Sequence, residues 1–549
     1  MKINSFKRRL FLPVLIAAIS LAVYGQQTST KVTPNVERLR DHITYLASDK
    51  LEGRRTGSSG ANLAAEYIAR EFARYGLRRS IGRDLPGMSH LEADSPRRYM
   101  QSFPYVAGVE LGNDNVLSVH FGGKDGAINL RAGENWMPLG FSSNASIETA
   151  GAVFVGYGIT AAELNYDDYS NDRTTGKIAI ALSGTSDGDN PHGQFARYED
   201  ARWKAIAARN AGAKALIIVA RSESFKEDRL AQLRYDNSAG EAGIPVLAIS
   251  QQAALRLFGA DSMTFLISLA NDFAKSHSQG NSKPTRNPFL ASLGFANSFR
   301  KLSINLNRRE SPAANVIGIL DGSDPTLKNE VIVIGAHYDH LGRGGEGSLA
   351  PREGEIHHGA DDNASGTAGV LELARLFTEQ RPRPRRTIVF IAFSGEEEGL
   401  LGSNYYVNHP IVPLANTVAM INMDMIGRLK DKNLIVGGVG TAQEWRSMVE
   451  ARNLLESTIV TATTGAGPHS SPRGFPMVVA SNGRPIVTSD SARMLTLTLN
   501  EDGFGPSDHS SFYAKQIPVL FFWTGTHADY HKPSDTAEKI NYDGEVGIL

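Results

Sequence analysis

Residues 331–342 read VIVIGAHYDHLG. The first six, Val331 to Ala336, form an apolar run too short for a buried helix and rich in β-branched side chains, which predicts a strand covered on both faces. The run stops abruptly at His337 and Asp339, side chains able to bind or support a metal. Three further runs have the same form: Thr387 to Phe393, Thr417 to Met423 and Ile517 to Trp523. Each is followed by acids or a histidine: Glu396 and Glu397 in FSGEEEGLLGS, Asp424 in NMDMIGR, and His531 in DYHKPSDT. A helix is predicted from about Ala364 to Glu379, with Val370, Leu373, Ala374 and Phe377 on one stripe and Asn363 or Ser365 as its cap. Buried strands alternating with helices make an α/β sheet, and ligands of such sheets bind beyond the carboxyl ends of the strands.

Taken singly, each polar residue has an ordinary explanation. His337 reads as a satisfied structural histidine, Asp361 and Asp362 in HHGADDNASG as helix-capping acids, and Glu396 to Glu398 as a solvated charged loop. Asp424 reads as a turn residue at a strand end, and His531 as a surface histidine beside Lys532. Their joint occurrence at five strand or helix ends favours one crevice. Borderline cations such as zinc take imidazole and carboxylate, and paired ions need a carboxylate between them plus a further acid, off the metals, to accept a proton from water.

The rest of the chain bounds this reading. At 549 residues it exceeds the size at which one core stops growing, so at least two domains are expected. Lys+Arg is 57 against Asp+Glu 58, a balance that provides no field for nucleic acid. There is no cysteine, so metal must be held by His and carboxylate, and disulfides contribute nothing. Lys2, Lys7, Arg8 and Arg9 precede an apolar run, Leu10 to Val23, which predicts a signal peptide over 1–25 with cleavage near Gly25. The run is shorter than a bilayer span, so an exported protein, periplasmic or extracellular, without stable membrane insertion is expected. Arg8-Arg9-Leu10-Phe11-Leu12 also has the form of a twin-arginine signal. Amphipathic helices are predicted from Asn35 to Ala47 and from Ser59 to Tyr75, and short strands and a helix, Ala201 to Ala211, between about 140 and 270. The polar stretch KSHSQGNSKPTRN, 275–287, has linker composition.

These motifs resemble the two-zinc metallopeptidases that include bacterial leucyl aminopeptidases, aminopeptidase Y and glutamate carboxypeptidase II. The resemblance covers about 34–105 and 310–545, with H-x-D, G-A-x-D, E-E, a D-M-I-like strand end and a late histidine in order. It implies a mixed, mostly parallel sheet sandwiched by helices and two Zn2+ per chain. His337 and Asp424 would hold one zinc, Glu397 and His531 the other, and Asp362 would bridge them. Glu396 would be the general base, Asp339 would orient His337, and Tyr530 would stabilise the oxyanion; Asp508 and Asp535 would stand behind the ligands. GYGI, DDY, GKI and AGAKALIIV are similar to a protease-associated domain. The implied organisation is 34–135, peptidase domain, first part; 136–275, the small β-rich insert; and 290–549, the second part with the metal site.

The function so implied is removal of single residues from peptide amino termini. Alternatives of the same ancestry are a carboxypeptidase or dipeptidase, a single-zinc enzyme like glutaminyl cyclase, and a non-catalytic receptor. A carboxypeptidase needs a basic clamp, for which Arg428, without a partner visible in sequence, and Arg343 are the candidates. His192 in the insert reads as a lone surface histidine. The segment from about Thr458 to Leu499 is longer than in the family, and relatives continue past DTAEKINYDG into a final helix.

Overall fold

The computed structural model describes residues 32–79, 95–120, 127–278, 299–454 and 494–549, apart from 171–173, 189, 191, 236, 238–239, 346, 351 and 353. The expected signal peptide and most of the segment from Thr458 to Leu499 lie outside the described residues, as does 279–298. The chain divides into two compact units, one formed by the stretches up to Tyr105 and from Pro312, the other by Val106–Ser311.

In the first unit the strands Val331–His337, Thr387–Phe393, Thr417–Met423 and Val519–Trp523 lie side by side and parallel. They sit within a nine-stranded sheet whose outer members include the antiparallel strand Ala313–Leu320. Register decides the geometry: His337 is level with Phe393, Gly335 with Asn422, and Met423 with Phe522. All four carboxyl ends therefore open on the same edge.

Strand periodicity separates the two faces. Ile334, Ala336, Ile388, Phe390 and Ala392 pack beneath the helices Val36–Leu46, Ser59–Arg74 and Gly366–Glu379, while Val331, Val333, Val389, Ile391 and Phe393 pack with Tyr406 and Phe512 on the other face. A fully buried side chain of this size contributes roughly 1.5–3 kcal/mol. Asn35 and Ser58 cap the first two helices by accepting from the Arg38 and Ala61 amides, and Asn35 N–H also donates to Glu372 at 2.8 Å.

The second unit has a five-stranded sheet in which Ala152–Phe154, Ile178–Leu182, Ala215–Val219 and Val246–Ile249 are parallel and Trp136–Pro138 is antiparallel. Among its described residues are the helices Ala201–Asn210, Gln251–Phe258 and Met263–Ser278. Two features depart from the sequence reading. Val116–Val119 pairs with Phe299–Ile304, and Val106–Leu111 with Leu306–Glu310, so backbone pairing draws these four strands into this unit rather than into the flanking parts. The linker composition begins at Lys275, yet helix continues to Ser278. No single helix among the described residues is long and apolar enough to cross a membrane.

Candidate metal centre

The four strand ends and the 359–366 turn bring six acids and histidines into two sets. In the first, His337 Nε2 lies 3.3 Å from Asp424 Oδ1, 3.4 Å from Asp362 Oδ1 and 3.9 Å from Glu396 Oε2. In the second, His531 Nε2 lies 3.2 Å from both Asp362 Oδ2 and Glu397 Oε2. Asp362 thus turns one oxygen to each set. His340 joins the second set, its Nδ1 2.7 Å from Glu397 Oε1 and 3.9 Å from Asp362 Oδ2.

The ring tautomers follow from the far nitrogens. His531 Nδ1 is 2.7 Å from the Gly347 carbonyl and His337 Nδ1 3.2 Å from the Asp339 carbonyl, so each N–H donates there and Nε2 is the nitrogen turned to the acids, the one that would ligate a metal on losing its proton. The support to His337 therefore comes from the Asp339 backbone; its carboxylate stands 3.7 Å away and instead accepts from Thr56 Oγ1 and the Glu396 amide.

Charge is crowded here. Burial pushes the Asp362 and Glu396 carboxyls above the ordinary range, Glu396 strongly, with neighbouring acids adding to it. Burial would also raise Glu397, but hydrogen bonds from His340 and His531 outweigh it and hold the group low. Burial would lower His531, yet Asp362 and Glu397 take it up to about 10, and Asp424 and Glu396 similarly overcome the burial of His337. Four carboxylates, Asp362 buried and Glu396, Glu397 and Asp424 partly so, crowd against three imidazoles, and divalent cations are the partners that this nitrogen and oxygen donor set suits. The residues fit a pair of zinc ions.

The supporting layer is built from the same turns. Both carboxylate-side amides, Asp361 N–H and Asp362 N–H, donate to Asp535 Oδ2 at 2.9 and 3.1 Å. Asp361 itself points away: its Oδ1 accepts from the Gly427 amide and Ser365 Oγ, and His527 Nε2 is 3.2 Å from Oδ2. Of the two proposed caps, Asn363 is the one used, accepting from Gly366 N–H at 2.9 Å. Gly359 has φ +57°, and a Cβ there would meet the Asp362 carbonyl at 2.2 Å and the His340 ring at 2.6 Å, so only glycine lets the turn close on His340. Asp508 is fully buried, which lifts its carboxyl to about 7.

Arg54 is buried at the centre of this layer. Its Nε donates to the Tyr338 carbonyl, Nη1 to those of Leu46 and His358, and Nη2 to that of Gly359. Burial lowers it to about 10, and Asp339 and Asp362 oppose the shift, so it stays cationic at neutral pH. Neither Arg54 nor His340 was singled out by sequence. Arg428 does have partners, Asp529 at 2.7 Å and Asp535 at 3.6 Å, and Arg343 is an exposed partner of Glu52. His192 is exposed, and among the described residues no metal-competent cluster lies in the second unit.

A crevice of about 350 Å³ opens at the acids, lined also by Met425, Pro506, Phe521, Trp523, Thr526 and Tyr530. Tyr530 stacks on His531 with centroids 3.8 Å apart, and burial, with Asp362 next, raises its phenol so that it remains a donor.

An open α/β sheet with two facing sets of nitrogen and oxygen donors beyond its strand ends, and a β-rich unit inserted in the chain, defines the class. Residues 315–474 and 486–546 match the model of Peptidase family M28, and 146–257 match that of the PA domain. The metal-bearing part of the chain is thus similar to peptidase family M28, and the inserted part to a PA domain. A probable zinc metalloprotease of Pyrenophora teres f. teres is 33% identical over 193 residues, 34% of this chain and 39% of its own length. Leupeptin-inactivating enzyme 1 of Streptomyces exfoliatus is 27% identical over 226 residues, 41% of this chain and 38% of its own length. The chain thus spans about two fifths of the length of these relatives. Among solved structures, an aminopeptidase from Aneurinibacillus sp. strain AM-1 is 21% identical, with 94% of this chain and 92% of that one covered at a TM-score of 0.45.

Proposed function

We propose that this chain is a two-zinc aminopeptidase. The observation that carries the reading is Asp362, whose two oxygens face His337 and His531 separately, as a bridging carboxylate must. His337 and Asp424 would complete one site, His531 and Glu397 the other. The chemistry supplied by bound zinc is polarisation of the scissile carbonyl and acidification of water. Glu396, on the crevice wall with its amide tied to Asp339, takes the proton from the attacking water and returns it to the leaving amine. Tyr530 donates its hydroxyl to the developing oxyanion.

Polarity of cleavage follows from charge. The crevice is lined by Asp362, Glu396, Glu397 and Asp424, and among the described residues no arginine or lysine lines it, which favours a substrate ammonium over a terminal carboxylate. The two arginines considered for a carboxylate clamp are engaged by Asp529 and Glu52. Met425, Pro506, Phe521 and Trp523 add apolar lining suited to a large apolar first residue. The basic start and short apolar run further support export, with a mature chain beginning near Gln26. The test is to strip the protein with chelator, restore zinc stepwise, and identify products from peptides differing in their first residue. Release of single amino-terminal residues, fastest for leucine or phenylalanine and reaching its maximum at two zinc per chain, is expected; full activity at one zinc, or cyclisation of amino-terminal glutamine, would refute the reading.

A further inference from the structure

We infer that His340 is a positioning residue that fixes Glu397 for the second zinc, a role that rests on the two-zinc reading above. His340 is fully buried, and its Nδ1 is 2.7 Å from Glu397 Oε1, a separation at which the two atoms share a proton. The other oxygen, Oε2, is the one turned to His531 Nε2 at 3.2 Å. One carboxylate oxygen is thereby held by protein and one left for metal, in the same set as Asp362 Oδ2.

The far nitrogen separates this role from direct ligation. His337 and His531 each anchor their outer N–H on a backbone carbonyl, which is what frees the inner nitrogen as a ligand. Among the described residues His340 Nε2 has no such acceptor: it is buried without a hydrogen-bond partner. Ligation through Nδ1 would require the proton on Nε2 and bury an orphan N–H. Donation from Nδ1–H leaves only an unused lone pair on Nε2, the smaller penalty. The ring is held in this orientation by the 359 turn, where any Cβ on Gly359 would strike it.

Hydrogen-bond partners of ligands typically change metal affinity 10- to 100-fold. The experiment compares wild type, His340→Ala and His340→Asn, whose amide N–H can occupy the position of Nδ1–H. Each is equilibrated at graded free zinc in chelator buffers, zinc is counted by mass spectrometry, and anomalous diffraction at the zinc edge locates it. Wild type should take up two zinc ions. His340→Ala should bind the zinc of the Glu397 set about 10- to 100-fold more weakly while the His337 set is unchanged, and His340→Asn should recover most of the loss. Two zincs bound by His340→Ala with wild-type affinity would overturn the inference alone, and an Asn variant as weak as Ala would overturn donation in favour of ligation. A wild-type chain that saturates at one zinc would overturn the two-zinc reading itself.

Discussion

Replacing Arg54 by methionine should destabilise the first unit and empty the metal centre together. The guanidinium bonds four carbonyls, Tyr338, Leu46, His358 and Gly359, at 2.5–3.0 Å, in three segments distant in sequence. Methionine fills similar volume but leaves those acceptors without a donor, at about 1 kcal/mol or more apiece. It also removes the buried cation facing Asp339, Asp362, Asp535 and Glu397. Losing one partner of a buried ionic set costs about 3–5 kcal/mol, and overlap between the two terms places the total at roughly 4–6 kcal/mol. Against a typical stability of about 5–15 kcal/mol, that is a severe loss. Arg54→Lys should recover only part, since one ammonium cannot reach all four carbonyls. Urea unfolding followed by circular dichroism, with zinc content measured on the same samples, gives the answer. A methionine variant within about 1 kcal/mol of wild type and retaining both metals would refute the account of how the 54, 338 and 359 turns are joined.

Glu396→Gln should keep the fold and both zincs but lose about 10²- to 10⁴-fold in turnover, whereas Asp362→Ala should lose zinc itself; wild-type turnover in the first, or two retained zincs in the second, would move those roles elsewhere. His509, fully buried and stacked on Phe521 at 4.3 Å, is lowered by burial from 6.5 to about 4. Its folded value lies below the unfolded one, so its contribution is complete above about pH 6.5 and declines as pH falls towards 4. In chelator-treated protein the unfolding free energy of wild type should therefore fall about 2–3 kcal/mol more than that of His509→Phe between roughly pH 7.5 and 4.5, and parallel curves would contradict the burial argument.

The central strands were legible because each is a six- or seven-residue apolar run ending in chemistry-bearing residues, and one strand-end rule located His337, Glu397, Asp424 and His531. His340 escaped because alternation ends with the strand, and which way the residue after Asp339 faces depends on the closure of the 359 turn. Arg54 lies in LEGRRTGS, a stretch that reads as a charged surface loop; its burial depends on carbonyls contributed from Leu46, Tyr338 and the 358–359 turn. The compact unit extends beyond 136–275 for the same reason. Pairing of Val106–Leu111 with Leu306–Glu310 spans some two hundred residues, and composition carries no trace of it.

The most direct measurement takes one peptide with an apolar first residue, offers it to the zinc-loaded protein with its amino terminus free and acetylated, and identifies the products by mass spectrometry. The crevice acids and the engaged state of Arg428 and Arg343 predict release of the first residue from the free peptide and no cleavage of the acetylated one. Cleavage of the acetylated peptide with release of its carboxyl-terminal residue would contradict the central claim.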